Sequence, residues 1–215
     1  KDGGKIAAVE FNERRQCSLV IIDAQKGTEL QRVAAQEGDF FYDPAWNDDA
    51  TSLALCALSE KGSSMYLVNA ATGKMTALIA HGTKEHPKTP FISRETVFYG
   101  SDYSGIDNIY ALNLKDGTRY QVTSRKYGAY FPSVSESGET LYYSDYSVKG
   151  YSGESMPLQR NKWLPVEKVA VDRIDYFEPV IAQEAGRSVA SEVPGREYES
   201  KKYTPFDSGT VYHFC

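Results

Sequence analysis

Ser101-Asp102-Tyr103-Ser104-Gly105-Ile106-Asp107-Asn108-Ile109-Tyr110-Ala111-Leu112-Asn113-Leu114-Lys115-Asp116-Gly117-Thr118-Arg119-Tyr120-Gln121-Val122-Thr123 is the stretch that decides the fold, because its parts recur on both sides of it. It predicts a turn over 102–105, a strand over 108–113, a turn at Lys115-Asp116-Gly117 and a strand over 118–123, which together make a hairpin. Two further spans of ten residues, 18–27 and 64–73, align without a gap to 108–117. Their closing glycines, Gly27, Gly73 and Gly117, lie 46 and 44 residues apart, the spacing of four-stranded propeller blades. Glycine closes each span because a tight hairpin turn requires a positive φ that a side chain disfavours.

A second strand precedes each core, at residues 6–9, 53–56 and 97–100, and again at 141–144, with starts 47, 44 and 44 residues apart. Before three of these stands a proline-bearing segment: Tyr42-Asp43-Pro44-Ala45-Trp46, His86-Pro87-Lys88-Thr89-Pro90-Phe91 and Tyr130-Phe131-Pro132-Ser133-Val134. Proline cannot donate to a ladder, so these read as edge strands at the inner rim of a sheet. Asn47-Asp48-Asp49-Ala50 and Glu136-Ser137-Gly138-Glu139 are polar turns out of that strand, and Asp2-Gly3-Gly4 reads as a remnant of the same turn. Each unit therefore has four strands, and the helical period is missing from residue 1 to about 150. The expected class is all-β: a β-propeller of four-stranded antiparallel blades, about three and a half to four in these 215 residues.

A hydrophobic content of 41% supports a sizeable core, and a net charge of -5 with no basic cluster longer than Arg14-Arg15 or Lys201-Lys202 leaves no footprint for nucleic acid. The longest apolar run, 53–58, is far shorter than the ~20 residues of a membrane helix. Cys17, Cys56 and Cys215 show no framework spacing, and the first two sit in apolar strands where a thiol packs as a small hydrophobe. The chain opens on Lys1-Asp2-Gly3-Gly4 and is expected to be a piece of a longer polypeptide.

Over residues 2–151 the units resemble the repeats of the TolB-like propeller family. Asp43-Pro44-Ala45-Trp46-Asn47-Asp48-Asp49-Ala50 is similar to that family's proline, aromatic and Asp-Gly signature, and Ser101-Asp102-Tyr103-Ser104-Gly105 through Asn108-Ile109-Tyr110 and Gln121-Val122-Thr123 resembles its most regular stretch. The third unit departs from the pattern, since Ser93-Arg94-Glu95 is shorter than the usual turn, and the fourth degenerates after Gly150. Residues 154–158 and 163–171 are expected to complete the fourth blade as its outer strands, giving a propeller over 1–171. Residues 172–215 are expected to hold one extra strand, 174–183, and a linker or tail. The closing residues 201–206 with Tyr212-His213-Phe214 are similar to the segment that joins such propellers to outer-membrane barrels of the bacterial surface-antigen type.

Chemistry is sparse. His81, His86 and His213 match no zinc spacing, no Gly-x-Ser-x-Gly elbow is present, and no phosphate loop or dinucleotide fingerprint occurs. No catalytic residue, metal or cofactor is therefore assigned. Asp102 and Asp145, each in a Ser-Asp-Tyr-Ser phrase, read either as caps of a repeated turn or as acids at one channel mouth, and repetition favours the cap. Phe40, Phe41, Tyr42, Trp46, Tyr127, Tyr130 and Phe131 cluster where one unit hands over to the next, for packing between blades or for a binding mouth. The candidate partner-binding set at that mouth is Asp43, Glu85, His86, Asp102, Tyr103, Tyr130, Asp145 and Tyr146. The resemblance implies a non-catalytic scaffold module of an exported bacterial protein, in the periplasm or at the cell surface, with a periplasmic or outer-membrane protein as partner. The competing expectation is a propeller that gates a peptidase or hydrolase domain outside this chain. A polysaccharide-cleaving propeller is a poorer third, because it needs a histidine cluster that the chain lacks.

Overall fold

A computed structural model describes residues 3–14 and 16–172, together with 182, 183 and 195. The chain divides into two units, Lys1–Arg173 and Ile174–Cys215. The strand expected at 174–183 and the tail after it lie outside the described residues, apart from those three positions.

The first unit is built from four antiparallel sheets in chain order. Strands β1 (Lys5–Phe11), β2 (Cys17–Asp23) and β3 (Glu29–Ala34) form the first, and β4 (Phe40–Trp46), β5 (Ser52–Ser59), β6 (Gly62–Asn69) and β7 (Met75–Gly82) the second. The third contains β8 (Lys88–Ser93), β9 (Thr96–Ser101), β10 (Asn108–Asn113) and β11 (Arg119–Gln121); the fourth contains β12 (Ala129–Val134), β13 (Thr140–Ser147) and β14 (Gly150–Pro157). A short β15 (Leu164–Pro165) adds a fifth strand outside β11.

The equivalence read from the glycines holds atom by atom. Gly27, Gly73 and Gly117 have φ of 66°, 69° and 73°, and their N–H groups donate to the carbonyls of Asp23, Asn69 and Asn113 at 2.9, 2.8 and 2.9 Å. The Oδ1 atoms of those three residues accept from backbone N–H groups within the turn, Gln25 and Lys26 in the first, Ala71 and Thr72 in the second, Lys115 in the third. A short polar side chain at this position completes the turn with its own acceptor. Ile6 and Ile22, Leu53 and Val68, Val97 and Leu112, and Leu141 and Met156 occupy the same cross-strand pair in all four sheets.

Successive side chains of a strand face opposite sides, and here both sides are covered. Leu53 and Leu55 pack with Leu19 and Ile21 of the first sheet, whereas Ala54 and Cys56 between them pack with Ile92, Tyr99 and Tyr110 of the third. Phe98, Ile109 and Ala111 turn the other way, toward Leu141 and Tyr143 of the fourth. This explains why β5, β9 and β10 read as continuous apolar runs instead of alternating ones.

The turn of the third unit is shorter than its counterparts, as expected: only Arg94 and Glu95 join β8 to β9, with Arg94 at a φ of 53°. One detail differs from expectation. Residues 163–171 do not finish the fourth sheet. Tyr120 pairs with Pro165 and Gln121 with Leu164, so the chain returns to the third sheet, and Val166 is buried in the core between the second and third. Trp163 supplies the reason, seated edge-on against Phe98 at 5.8 Å and beside Tyr120 at 6.0 Å.

Candidate functional site

The inner strands β4, β8 and β12 share one irregularity. Each breaks register at its X-Pro step, between Tyr42 and Ala45, Lys88 and Phe91, and Tyr130 and Ser133. Asp43, Thr89 and Phe131, each just before the proline, have φ of 49°, 45° and 54°. The left-handed region costs a non-glycine residue roughly 1–2 kcal/mol, and such strain persists only where the surrounding packing imposes it. The proline lacks the donor that a regular ladder would need, and the bulge accommodates that loss. The three dipeptides converge around one cavity of about 280 Å³ lined by Asp43, Pro44, Thr89, Pro90, Phe131 and Pro132. Asp43 Oδ2 accepts from the Thr89 N–H at 2.8 Å, and the Tyr42 hydroxyl donates to the Pro87 carbonyl at 2.9 Å, so the cavity wall is stitched from sheet to sheet.

A wider cavity of about 690 Å³ opens at the end where the inner strands turn into the next, lined by Asp48, Asp49, Arg94 and Glu136 among others. Arg94 spans three sheets there. Its N–H donates to Asp48 Oδ2 at 2.8 Å and its guanidinium to the Ser137 carbonyl at 2.7 Å. Hydrogen bonds from Thr51 hold the exposed Asp49 carboxyl below its ordinary range. Sequence reading saw these residues only as turns, because their convergence depends on three sheets.

The residues singled out beforehand lie toward the opposite end, and they serve different roles. His86 receives both oxygens of Asp102, one on its backbone N–H and one on ring Nδ1, each at 2.8 Å. Glu85 is buried: it pairs with Arg119, accepts from Ser101 Oγ at 3.0 Å, and shares Arg119 with the Tyr99 hydroxyl, which lies 2.8 Å from that guanidinium. Tyr103 is half-buried, with Arg119 over its ring at 5.7 Å. Asp145 pairs with Arg125 at 2.6 Å. Asp102 and Asp145 are not equivalent, although their phrases match. Lys88 pairs with Gly100 and Tyr130 with Ser144, each two residues before its proline, which aligns Asp145 with Ser101. The one-residue slip leaves Asp145 inside β13 and puts Asp102 just past the end of β9, at the start of the turn that follows.

Around Tyr130 the side chains form a continuous aromatic surface. Burial, with Asp107 nearby, pushes the Tyr130 phenol up to about 12. Lys88 Nζ lies 2.7 Å from Asp107 Oδ1, an ion pair by distance without hydrogen-bond geometry. The Tyr130 ring lies 5.7 Å from Tyr151 and 6.4 Å from Phe131, and Tyr151 lies 4.8 Å from Tyr146. Phe131 is 60% exposed and Tyr151 65%. Tyr151 was not among the expected residues; its antiparallel pairing with Tyr146 across the Ser147–Gly150 hairpin is the signal that would have found it. The earlier aromatic group divides: Phe41, Tyr42 and Trp46 pack between sheets, while Phe40, Tyr127 and Phe131 are exposed.

Away from this surface, His81 Nε2 meets the Tyr66 hydroxyl at 2.7 Å and Nδ1 meets Ser59 Oγ at 3.1 Å. Among the described residues no group of three His, Cys, Asp or Glu is placed to hold a metal, and His213 lies outside them.

No protein-family profile matches the sequence, and no curated protein does. By shape the chain is similar to a protein described as TolB from Agrobacterium tumefaciens, with TM-score 0.62 and 16% identity over 77% of this chain and 61% of that one. TolB from Acinetobacter baumannii matches with TM-score 0.60 and 16% identity over 76% of this chain and 40% of that one. A puromycin-hydrolyzing peptidase of Mycobacterium tuberculosis matches with TM-score 0.58 and 11% identity over 82% and 29%. The chain thus spans less than two thirds of the length of either TolB. At 16% identity or less the likeness is one of fold: the four sheets are blades of a β-propeller.

Proposed function

We propose that this chain is a non-catalytic binding module that docks a protein partner at the inner end of its fourth blade. The observation that carries the reading is Phe131, a large ring held in left-handed backbone, 60% exposed, and shared between the central cavity and the Tyr130–Tyr151–Tyr146 surface. Exposed aromatic clusters beside a concave wall are where binding energy concentrates. The carboxylates of Asp43, Asp107 and Asp145 lie near this region but are taken up by contacts within the chain, so orientation falls to the tyrosine hydroxyls and affinity to apolar contact. The matching partner is an extended or looped protein segment with an apolar side chain that enters between Phe131 and the Asp43 and Thr89 dipeptides.

Phe131→Ala combined with Tyr146→Ala should abolish capture of periplasmic proteins by the immobilised domain while leaving its melting temperature unchanged. An unaltered set of captured proteins would overturn the assignment. The location we infer is the periplasm or outer surface of a bacterium, in keeping with the likeness to TolB. The second reading, a gate over the catalytic domain of a peptidase, draws on the likeness to the puromycin-hydrolyzing peptidase. It predicts a Gly-x-Ser-x-Gly nucleophile elbow in the same open reading frame, whereas the docking reading needs none.

A further inference from the structure

Strand β1 is an open edge. In the matching place of the other three blades, β5, β9 and β13 are each paired on their inner side by a proline-bearing strand, whereas β1 pairs only with β2. The alternation of an antiparallel ladder tells which groups are left over. The Gly4 carbonyl accepts from the Ala24 N–H at 3.0 Å, and the Asn12 N–H donates to the Gln16 carbonyl at 3.1 Å, so the even-numbered residues between them bond across to β2. The N–H and C=O groups of Ala7 and Val9 therefore point away from the sheet, and they have no partner among the described residues.

What covers such an edge is visible in the other three blades. Counting on from the equivalent Ile6, Leu53, Val97 and Leu141, the counterparts of Ala7 are Ala54, Phe98 and Tyr142, which pair with Ala45, Phe91 and Ser133. The counterparts of Val9 are Cys56, Gly100 and Ser144, which pair with Tyr42, Lys88 and Tyr130. Between those two rungs stands the X-Pro step with its residue of positive φ. Covering buries the strand: Ala54 and Cys56 are 0% exposed, while Ala7 and Val9 are only half-buried. At the end of β1, Phe11 is 54% exposed and its ring lies 5.9 Å from that of Phe40, the cross-strand partner of Leu58, which is the counterpart of Phe11. An apolar side chain opposite Phe11 would close on that ring beside Phe40.

A free strand edge binds extended polypeptide through its backbone groups, and side-chain contacts then select the sequence. Every described strand already lies in a sheet, so the covering strand comes from outside them. We propose that β1 takes up an extended segment of a partner protein as an added antiparallel strand. One residue of that segment stands opposite Val9, an X-Pro step follows it, and the next residue stands opposite Ala7. Proline suits the step because the bulge there leaves no ladder donor to lose. The residue opposite Val9 is apolar or aromatic, since Ala7 and Val9 pack on the core shared with the second blade, and an apolar residue two places before it meets Phe11. The edge belongs to the first blade and is separate from the aromatic surface of the fourth.

Amide hydrogen exchange of the whole chain, read by nuclear magnetic resonance, tests this with a synthetic peptide of the β4 sequence, Phe40–Trp46, as the probe. Before peptide is added, the Ala7 and Val9 amides should exchange at least about 100-fold faster than those of Ala54 and Cys56. Saturating peptide should slow both at least about tenfold. A peptide N-methylated at the position of Tyr42, opposite Val9, loses one ladder hydrogen bond and should bind about fivefold to tenfold more weakly. Ala7→Pro removes an outward donor, leaves the ladder to β2 intact, and should abolish binding while keeping the melting temperature. No protection at any peptide concentration would overturn the proposal, and unchanged affinity after N-methylation would overturn its register. Slow exchange of both amides without peptide, in this chain or in a longer parent polypeptide, would overturn it in favour of a strand donated in cis. The same slow exchange confined to a dimer would overturn it in favour of a second copy.

Discussion

Removing the Glu85 carboxylate should unfold the third blade more readily without touching the docking surface. In Glu85→Ala the guanidinium of Arg119 stays in place with its ionic partner gone, and the two side chains are only 10% and 20% exposed. Breaking one side of a buried ion pair costs roughly 3–5 kcal/mol. Arg119 keeps the Tyr99 hydroxyl as a neutral acceptor at 2.8 Å and has some access to water, so the expected loss is at the low end, about 3 kcal/mol. For a unit of this size each kcal/mol shifts the melting temperature by about 2–4 °C, which gives a fall of about 6–12 °C. Urea unfolding followed by circular dichroism, with calorimetric melting beside it, measures both. The double variant Glu85→Leu, Arg119→Met should regain most of the loss, because two apolar groups leave no buried charge unpaired. A Glu85→Ala protein within 0.5 kcal/mol of the parent, or a double variant worse than the sum of the singles, refutes the buried-pair account and returns Glu85 to the partner-facing set.

Two further outcomes follow from local geometry. Burial raises the phenols of Tyr42 and Tyr130 from the ordinary 10.0 to about 12. A folded-state value above the unfolded one means that the stability tied to the neutral phenols is intact below pH 10 and is lost as pH rises through about 12, so ultraviolet phenolate titration should show late-ionising tyrosines that titrate together with unfolding. Ionisation of every phenol near pH 10 in a still-folded protein would contradict this. At Gly62, with φ of 99°, an added Cβ would strike the backbone carbonyl of Gly82, while at Gly117 nothing lies within 4 Å. Gly117→Ala should therefore cost about 1 kcal/mol, the left-handed backbone alone, and Gly62→Ala roughly 3 kcal/mol or more; equal urea midpoints would show the hairpin at Gly62 to be pliable.

The repeat was legible because it is local. Gly27, Gly73 and Gly117 close hairpins whose turn bonds span four residues, and a single sequence carries all the information for such turns. The candidate site was legible only in its neighbourhood. Tyr130 and the proline-bearing strands were visible, but Glu85 was expected at a mouth and lies inside a blade, where Arg119, 34 residues away, neutralises it. The Ser-Asp-Tyr-Ser phrases of Asp102 and Asp145 look alike in letters and differ by one place in register, and that place leaves Asp145 within a strand and Asp102 in the turn after one.

From the amino-acid order alone come the all-β class, the spacing of the blades and the positions of their turns. The tertiary structure decided that Asp43, Thr89 and Phe131 meet around one cavity, and that residues 158–172 return to the third blade, where Trp163 seats against Phe98, instead of completing the fourth. Turns depend on hydrogen bonds between near neighbours in sequence. The shared cavity and the returning segment depend on which distant surfaces exclude water together, and only the packed chain determines that.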